Sequence, residues 1–326
     1  MDLAMHQLIQ YMQTFRRGTM KNFIKSVLFI LIFVVLLTVS IYFLMPRKNL
    51  DNYSLLNILD YEILEEDDDM VDVLFVGDSL VYSSVSPMEI WNEYGFTSFD
   101  CSTPAQLTEI SYEYISIAVE RQHPKVIFLE ANVLFRDPAK RTDERKLKDF
   151  YDRYSILDKY HDNWKDYISY GKKINTSKGY YYISRINSAK KDKYMDNKNK
   201  TETIPSVNIE YFNKIIDLCN SNNIKLVLFG VPSMKSWSYA KDQKIEELSK
   251  EYSLEFIDLN NILEIDWGNE TKDEGSHLNY SGAKKVSHYL GNYLFENNLV
   301  VNHKDDEKYD DWNLAYSKYQ RLIDFN

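Results

Sequence analysis

The chain has 326 residues, 44% of them hydrophobic and 27% charged, with only 10 Gly and 7 Pro, which excludes collagenous, low-complexity and wholly disordered polymers. Its 39 Lys and Arg face 49 Asp and Glu, a net charge of −10, so it lacks the basic surplus of a generic nucleic-acid binder. Cys101 and Cys219 stand far apart in no Cys/His ligand spacing, which leaves neither a disulfide framework nor a zinc site and points to two small buried apolar side chains.

Residues 1–26 read as a cytoplasmic leader. Leu8, Ile9, Met12 and Phe15 fall near helical spacing ahead of Arg16, Arg17, Lys21 and Lys25, although Met20 is an equally natural start and no function is placed on the first nineteen residues. From Val27 to Met45 there is neither charge nor helix breaker, and at about 1.5 Å per residue this run crosses the ~30 Å hydrocarbon core. Phe43-Leu44-Met45-Pro46 offers no small-residue cleavage site, so the run reads as a transmembrane helix rather than a signal peptide. The basic cluster before it places the N-terminus in the cytoplasm and everything after about Asn49 outside the cell membrane. Residues 46–70, with Glu62, Glu65, Glu66, Asp67, Asp68 and Asp69, read as a solvated acidic linker rather than a calcium site.

The runs 71–76, 125–129 and 224–229 are short, apolar and β-branched, as buried parallel strands are; 97–101 and 254–258 are weaker versions. Between them lie helix-period stretches at 89–94, 107–121, 208–220, 242–252 and 280–296. This alternation predicts an α/β, doubly wound, flavodoxin-like domain over 71–299 with a five-stranded parallel sheet, its reacting groups gathered at the carboxyl ends of the strands. Residues 136–205 interrupt the rhythm as a Tyr- and Lys-rich insertion. Within it, 146–168 has helical character and 187–203 is polar enough for a mobile loop. In the tail, 300–326, Trp312, Tyr316 and Tyr319 near helical spacing predict a segment that packs back on the domain.

Gly77-Asp78-Ser79 sits where the first strong strand ends, which puts a serine hydroxyl at the carboxyl edge of the sheet. Asp78 there suits a helix cap. Near the other end the chain reads Asp273-Glu274-Gly275-Ser276-His277, supplying the imidazole and carboxylate that a nucleophilic serine needs. No H-E-x-x-H, G-x-G-x-x-G or G-K-[ST] pattern supports metal, dinucleotide or nucleotide chemistry.

Together with Thr103-Pro104-Ala105-Gln106, Glu130-Ala131-Asn132-Val133-Leu134-Phe135 and His277-Leu278-Asn279 with Gly282-Ala283, the stretch Asp72 to Ser79 resembles the SGNH/GDSL hydrolase superfamily. More narrowly, it is similar to the membrane-anchored SGNH-like proteins that accompany membrane-bound O-acyltransferases. The likeness covers about Val71 to Leu299.

The resemblance implies Ser79 as nucleophile, His277 as general base and Asn132 as a side-chain donor of an oxyanion hole, with the Ser79 backbone N–H as another. The family's second block usually offers a glycine, absent here between Gly95 and Gly171, and Ser102 is the substitute donor. The orienting acid is Asp273 or Glu274. His161, Trp164 and Tyr181 on the insertion are candidate substrate contacts.

The resemblance further implies no cofactor and a cell-surface polysaccharide or teichoic-acid-like polymer as substrate. The acyl group expected is acetyl, with D-alanine the alternative, and an integral-membrane O-acyltransferase is the implied partner. The sequence does not decide between transferase and esterase, since the same serine chemistry serves both. A non-catalytic accessory subunit and a lipase or thioesterase are the rivals.

Overall fold

The computed structural model describes residues 2–44, 62–143, 146, 175–190, 194, 195 and 201–324. Residues 60–149 and 172–326 form one compact unit; 1–59 and 150–171 form a second. In the second unit a single helix, α1 (Asp2–Leu44), runs continuously through leader and apolar run. Its 21 residues Met20–Ser40 have a mean hydropathy of 2.7, a length and apolarity shared by membrane spans and N-terminal signal sequences.

The larger unit is built on β1 (Val73–Gly77), β2 (Ser98–Ser102), β3 (Val126–Glu130), β4 (Lys225–Gly230) and β5 (Glu255–Asp258). All pair in parallel in the order β2-β1-β3-β4-β5, the doubly wound arrangement expected from the sequence. Every residue of β1 and β3 is buried, because helices cover both faces of the sheet, and this is why these strands read as unbroken apolar runs. Phe75 and Phe128 stack at 5.1 Å between centroids, and Phe229 meets Phe128 edge-on at 5.9 Å.

The helices are α2 (Ser79–Ser84), α3 (Pro87–Tyr94), α4 (Thr108–Gln122), α5 (Ser206–Ser221), α6 (Tyr239–Tyr252), α7 (Leu259–Ile262), α8 (Tyr280–Glu296) and α9 (Asp310–Asp324). Local chemistry sets their ends. Pro87 opens α3 and Gly95, at φ +71°, closes it; Asn279 caps α8 by accepting from the Ser281 and Gly282 amides at 3.1 and 3.3 Å. The tail packs back as α9, burying Trp312, Ala315 and Tyr319. Cys101 and Cys219 are buried free thiols.

Two expectations need correction. The acidic run 62–69 is not solvated throughout: Glu66 is buried against the Lys178 ammonium at 2.8 Å, which itself lies 4.4 Å over the Trp312 ring, and Asp68 pairs with Arg121. A buried ammonium needs a counter-charge, and this one draws the acidic segment onto the domain. Nor are residues 187–190 a free loop, since the Asn187 and Ala189 amides donate to the Thr271 and Trp267 carbonyls at 2.9 and 2.8 Å. The helical stretch 146–168 lies, Lys146 apart, outside the described residues.

Gly77 closes β1 beside Glu130. A methyl group there would stand 2.7 Å from Glu130 Cβ and closer still to Val81 Cγ2. Gly77→Ala is therefore expected to cost about 1–3 kcal/mol in denaturant unfolding; an unchanged midpoint would show that the approach is looser than this.

Asp258 caps α7, accepting from the Asn260 amide at 3.0 Å and the Trp237 indole at 3.3 Å. Burial raises its pKa to about 7; hydrogen bonds from Asn260 pull against the rise, and the neighbouring Asp242 carboxyl adds to it. The folded chain thus holds this proton up to about pH 7, whereas an unfolded chain releases it near pH ~4, so the contribution to stability is lost as pH rises through that window. Asp242→Asn should make the protein more stable than its parent by about 1 kcal/mol at pH ~8, with the gap closing by pH ~4. A gap independent of pH would contradict this reading.

Candidate active site

Because β1, β2 and β3 lie side by side in parallel, their carboxyl ends share one edge. Gly77 is level with Ser102, and Val76 with Leu129, so the turns that follow bring Ser79, Ser102 and Asn132 to that edge. Ser79 is the first residue of α2. Asp78 caps this helix as expected, its Oδ1 accepting from the Leu80 amide at 2.9 Å. The other oxygen of this fully buried carboxylate accepts from Arg136 Nε at 2.6 Å and Asn132 Nδ2 at 3.4 Å.

His277 arrives from the loop between α7 and α8. Its Nε2 lies 2.8 Å from Ser79 Oγ across 198 residues of sequence, and its Nδ1 lies 2.5 Å from Asp273 Oδ2. The carboxylate can only accept, so Nδ1 carries the proton and Nε2 is left to accept from the serine hydroxyl.

The loop's own geometry explains the choice of acid. Asp273 Oδ1 also accepts from the His277 backbone N–H at 2.7 Å, so one short side chain fixes both the turn and the ring. Glu274 and Gly275, at φ +59° and +86°, supply the left-handed bend that returns the chain on itself. The bend is pinned by the Gly275 amide on Thr271 Oγ1 at 2.8 Å and by the Met234 amide on the Gly275 carbonyl, also at 2.8 Å. Glu274 points to solvent and pairs with Lys235 at 3.3 Å, away from the imidazole. Of the two acids left open by the sequence, Asp273 is the one on His277.

Asn132 sits in the 3-10 turn after β3, its backbone N–H donating to Glu130 Oε1 at 2.9 Å. Its side chain is oriented by a residue that sequence reasoning missed. Lys241 Nζ, from α6, donates to Asn132 Oδ1 at 2.8 Å and to the Ser236 carbonyl at 2.7 Å. An ammonium only donates, so it fixes the carboxamide oxygen toward itself and turns the NH2 toward Asp78. Burial lowers the Lys241 pKa, with nearby Glu130 opposing, while burial first and Asp78 second hold Glu130 well above the carboxylate range. Lys241 lies inside an ordinary amphipathic helix, and nothing in its neighbourhood in the chain marks it.

Ser102 ends β2 with its hydroxyl buried. Burial raises the Tyr82 phenol above its ordinary pKa, and a hydrogen bond with Ser79 offsets part of the rise. Tyr181 is 60% exposed and lies edge-on to Tyr82 at 6.2 Å between centroids, which places this insertion residue at the site. His161 and Trp164 lie outside the described residues. Among the described residues no group of three or more His, Cys, Asp or Glu side chains is placed to hold a metal ion.

An oxygen nucleophile hydrogen-bonded to a neutral imidazole, with a carboxylate behind it and amide donors beside it, is equipped for acyl transfer. No family model matches the sequence, and no curated protein matches it. Among solved structures, a GDSL-like lipase from Bacteroides thetaiotaomicron has 10% identity over 69% of this chain and 88% of its own, with a TM-score of 0.37. A psychrotrophic esterase from Pseudoalteromonas sp. has 8% identity over 69% of this chain and 99% of its own, at 0.38. An acetyl xylan esterase has 16% identity over 68% of this chain and 98% of its own, at 0.26. At these scores the reading of the site stands on its own geometry.

Proposed function

We propose that the chain is a membrane-anchored serine acyltransferase or esterase acting outside the cell on acyl groups, acetyl first, of a cell-surface polysaccharide or related polymer. The observation that carries this is the continuous Ser79–His277–Asp273 relay, at 2.8 and 2.5 Å. Ser79 Oγ attacks the acyl carbonyl while His277 Nε2 takes its proton, and Asp273 supports the resulting imidazolium. Negative charge develops on the carbonyl oxygen, where Asn132 Nδ2–H and the backbone N–H groups of Ser79 and Ser102 are the assigned donors. Collapse breaks the bond to the leaving oxygen, which receives the proton from His277 and leaves an acyl-Ser79 ester. His277 then deprotonates a sugar hydroxyl or water, and attack on that ester frees Ser79. Which of the two attacks decides between transferase and esterase, and D-alanine is the alternative acyl group.

The anchor in this proposal is α1, with its basic residues Arg16, Arg17, Lys21 and Lys25 on the cytoplasmic side. An integral-membrane O-acyltransferase is the proposed partner, delivering acyl groups from across the bilayer.

Release of acetate from an acetylated sugar by the full chain in detergent micelles tests the chemistry. Ser79→Ala should abolish it, Asp273→Asn should lower kcat by about 10⁴-fold, and Glu274→Gln should leave it within about twofold. Full activity in Ser79→Ala, or a Glu274 effect equal to that of Asp273, would refute the assignment. Lys241→Met should lower kcat about 10–100-fold at nearly constant KM, the signature of a donor displaced from the developing oxyanion; a change confined to KM would assign Lys241 to substrate binding instead.

A further inference from the structure

Lys272 immediately precedes the acid of the proposed relay and is only 7% exposed. Its ammonium donates to Ser83 Oγ at 2.8 Å and faces the rings of Tyr181 and Tyr82 at 5.6 and 6.0 Å. No carboxylate forms an ion pair with it among the described residues, and both oxygens of adjacent Asp273 are engaged by His277. Arg185 stands beside it, donating from Nη2 to the Lys272 carbonyl at 3.2 Å, and it too has no carboxylate partner among the described residues. The contrast within the same domain is informative: buried Lys178 is met by Glu66, and Arg136 by Asp78. In a chain of net charge −10, neither Lys272 nor Arg185 forms an ion pair with a carboxylate among the described residues.

We infer that this wall of the site receives a negatively charged group, phosphate or carboxylate, carried by the saccharide or polyol whose acyl ester meets Ser79; this rests on the serine reading of the site. An ammonium held out of water with no carboxylate in direct contact is costly, so an arriving anion gains more at Lys272 than at a solvated lysine. The Arg185 fork matches the two oxygens of either group. Arg185, Tyr181 and Tyr182 also line a surface cavity of about 440 Å³, and the exposed Tyr181 ring gives a sugar or polyol a flat face to lie on. Burial lowers the Lys272 pKa to about 8, with Arg185 adding to the fall and Asp273 opposing it, which leaves the ammonium charged at neutral pH.

The test uses the full chain carrying Ser79→Ala in detergent micelles, so that binding is read without turnover. Calorimetric titration compares an oligomer of glycerol phosphate, an oligouronate and a neutral oligosaccharide of equal length. At low salt at least one anionic probe should bind about tenfold or more tightly than the neutral one, and the better of the two identifies phosphate or carboxylate. Lys272→Gln and Arg185→Gln should each remove most of that advantage, while Arg185→Lys retains part of it. Arg185 is exposed, so its variants carry the test even if Lys272→Gln fails to fold. Equal binding of charged and neutral probes, or an advantage that survives both Gln substitutions, overturns the inference. No ester release by the parent chain, with charge selection intact in the Ser79→Ala chain, would sink the serine reading alone; ester release by the parent without charge selection would sink this one alone.

Discussion

Ser79 and His277 meet because a parallel sheet brings the end of β1 and the loop before α8 to the same edge. The two residues are 198 positions apart, and the bond between them is 2.8 Å long. The order β2-β1-β3-β4-β5 puts the end of β1 between those of β2 and β3 on the carboxyl edge, and the chain after β5 reaches back to it. Everything specific to the site elaborates this meeting. Asp78 caps α2 and so sets the serine's direction, while Asp273 holds the turn and the imidazole with one side chain. A single Gly77 lets the backbone pass Glu130 and Val81 closely enough for the turn to form.

Much of this was legible in the amino-acid order because it is written in local chemistry. Buried parallel strands must be apolar on both faces, so β1, β3 and β4 announce themselves, and the observed strands start and stop within two residues of the predicted runs. Gly77-Asp78-Ser79, at a predicted strand end, and the run Asp273-Glu274-Gly275-Ser276-His277, after the last predicted strand, were likewise visible, being short. The choice between Asp273 and Glu274 was not, because it depends on the left-handed bend at Glu274-Gly275 rather than on residue type. Lys241 was invisible for a different reason: its partner Asn132 is 109 residues away, and only the packing of α6 brings them together. The docking of 62–69 and 187–190 was misread because polar composition was taken as solvation. In each case a buried counter-charge or a neighbouring backbone edge supplies the partner that composition cannot reveal.

Buried charge is the recurring device of this domain, used in two ways. Asp78 with Arg136 and Glu66 with Lys178 are closed pairs, in which breaking one partner would leave the other stranded. Lys241 and Lys272 are open: each satisfies itself on neutral oxygens, Lys241 on Asn132 and Lys272 next in sequence to Asp273 of the proposed relay. Closed pairs fix the scaffold, whereas open cations retain capacity to orient an amide or to meet an incoming charge. This division links the electrostatics of the fold to the chemistry of its edge.

Covalent labelling of the full chain with a fluorophosphonate, followed by peptide mapping in a mass spectrometer, addresses the central claim most directly. The account predicts a single stoichiometric adduct on the peptide containing Ser79, formed more slowly when His277 is replaced by Ala. An adduct on another serine, or the same rate of labelling without His277, would contradict it.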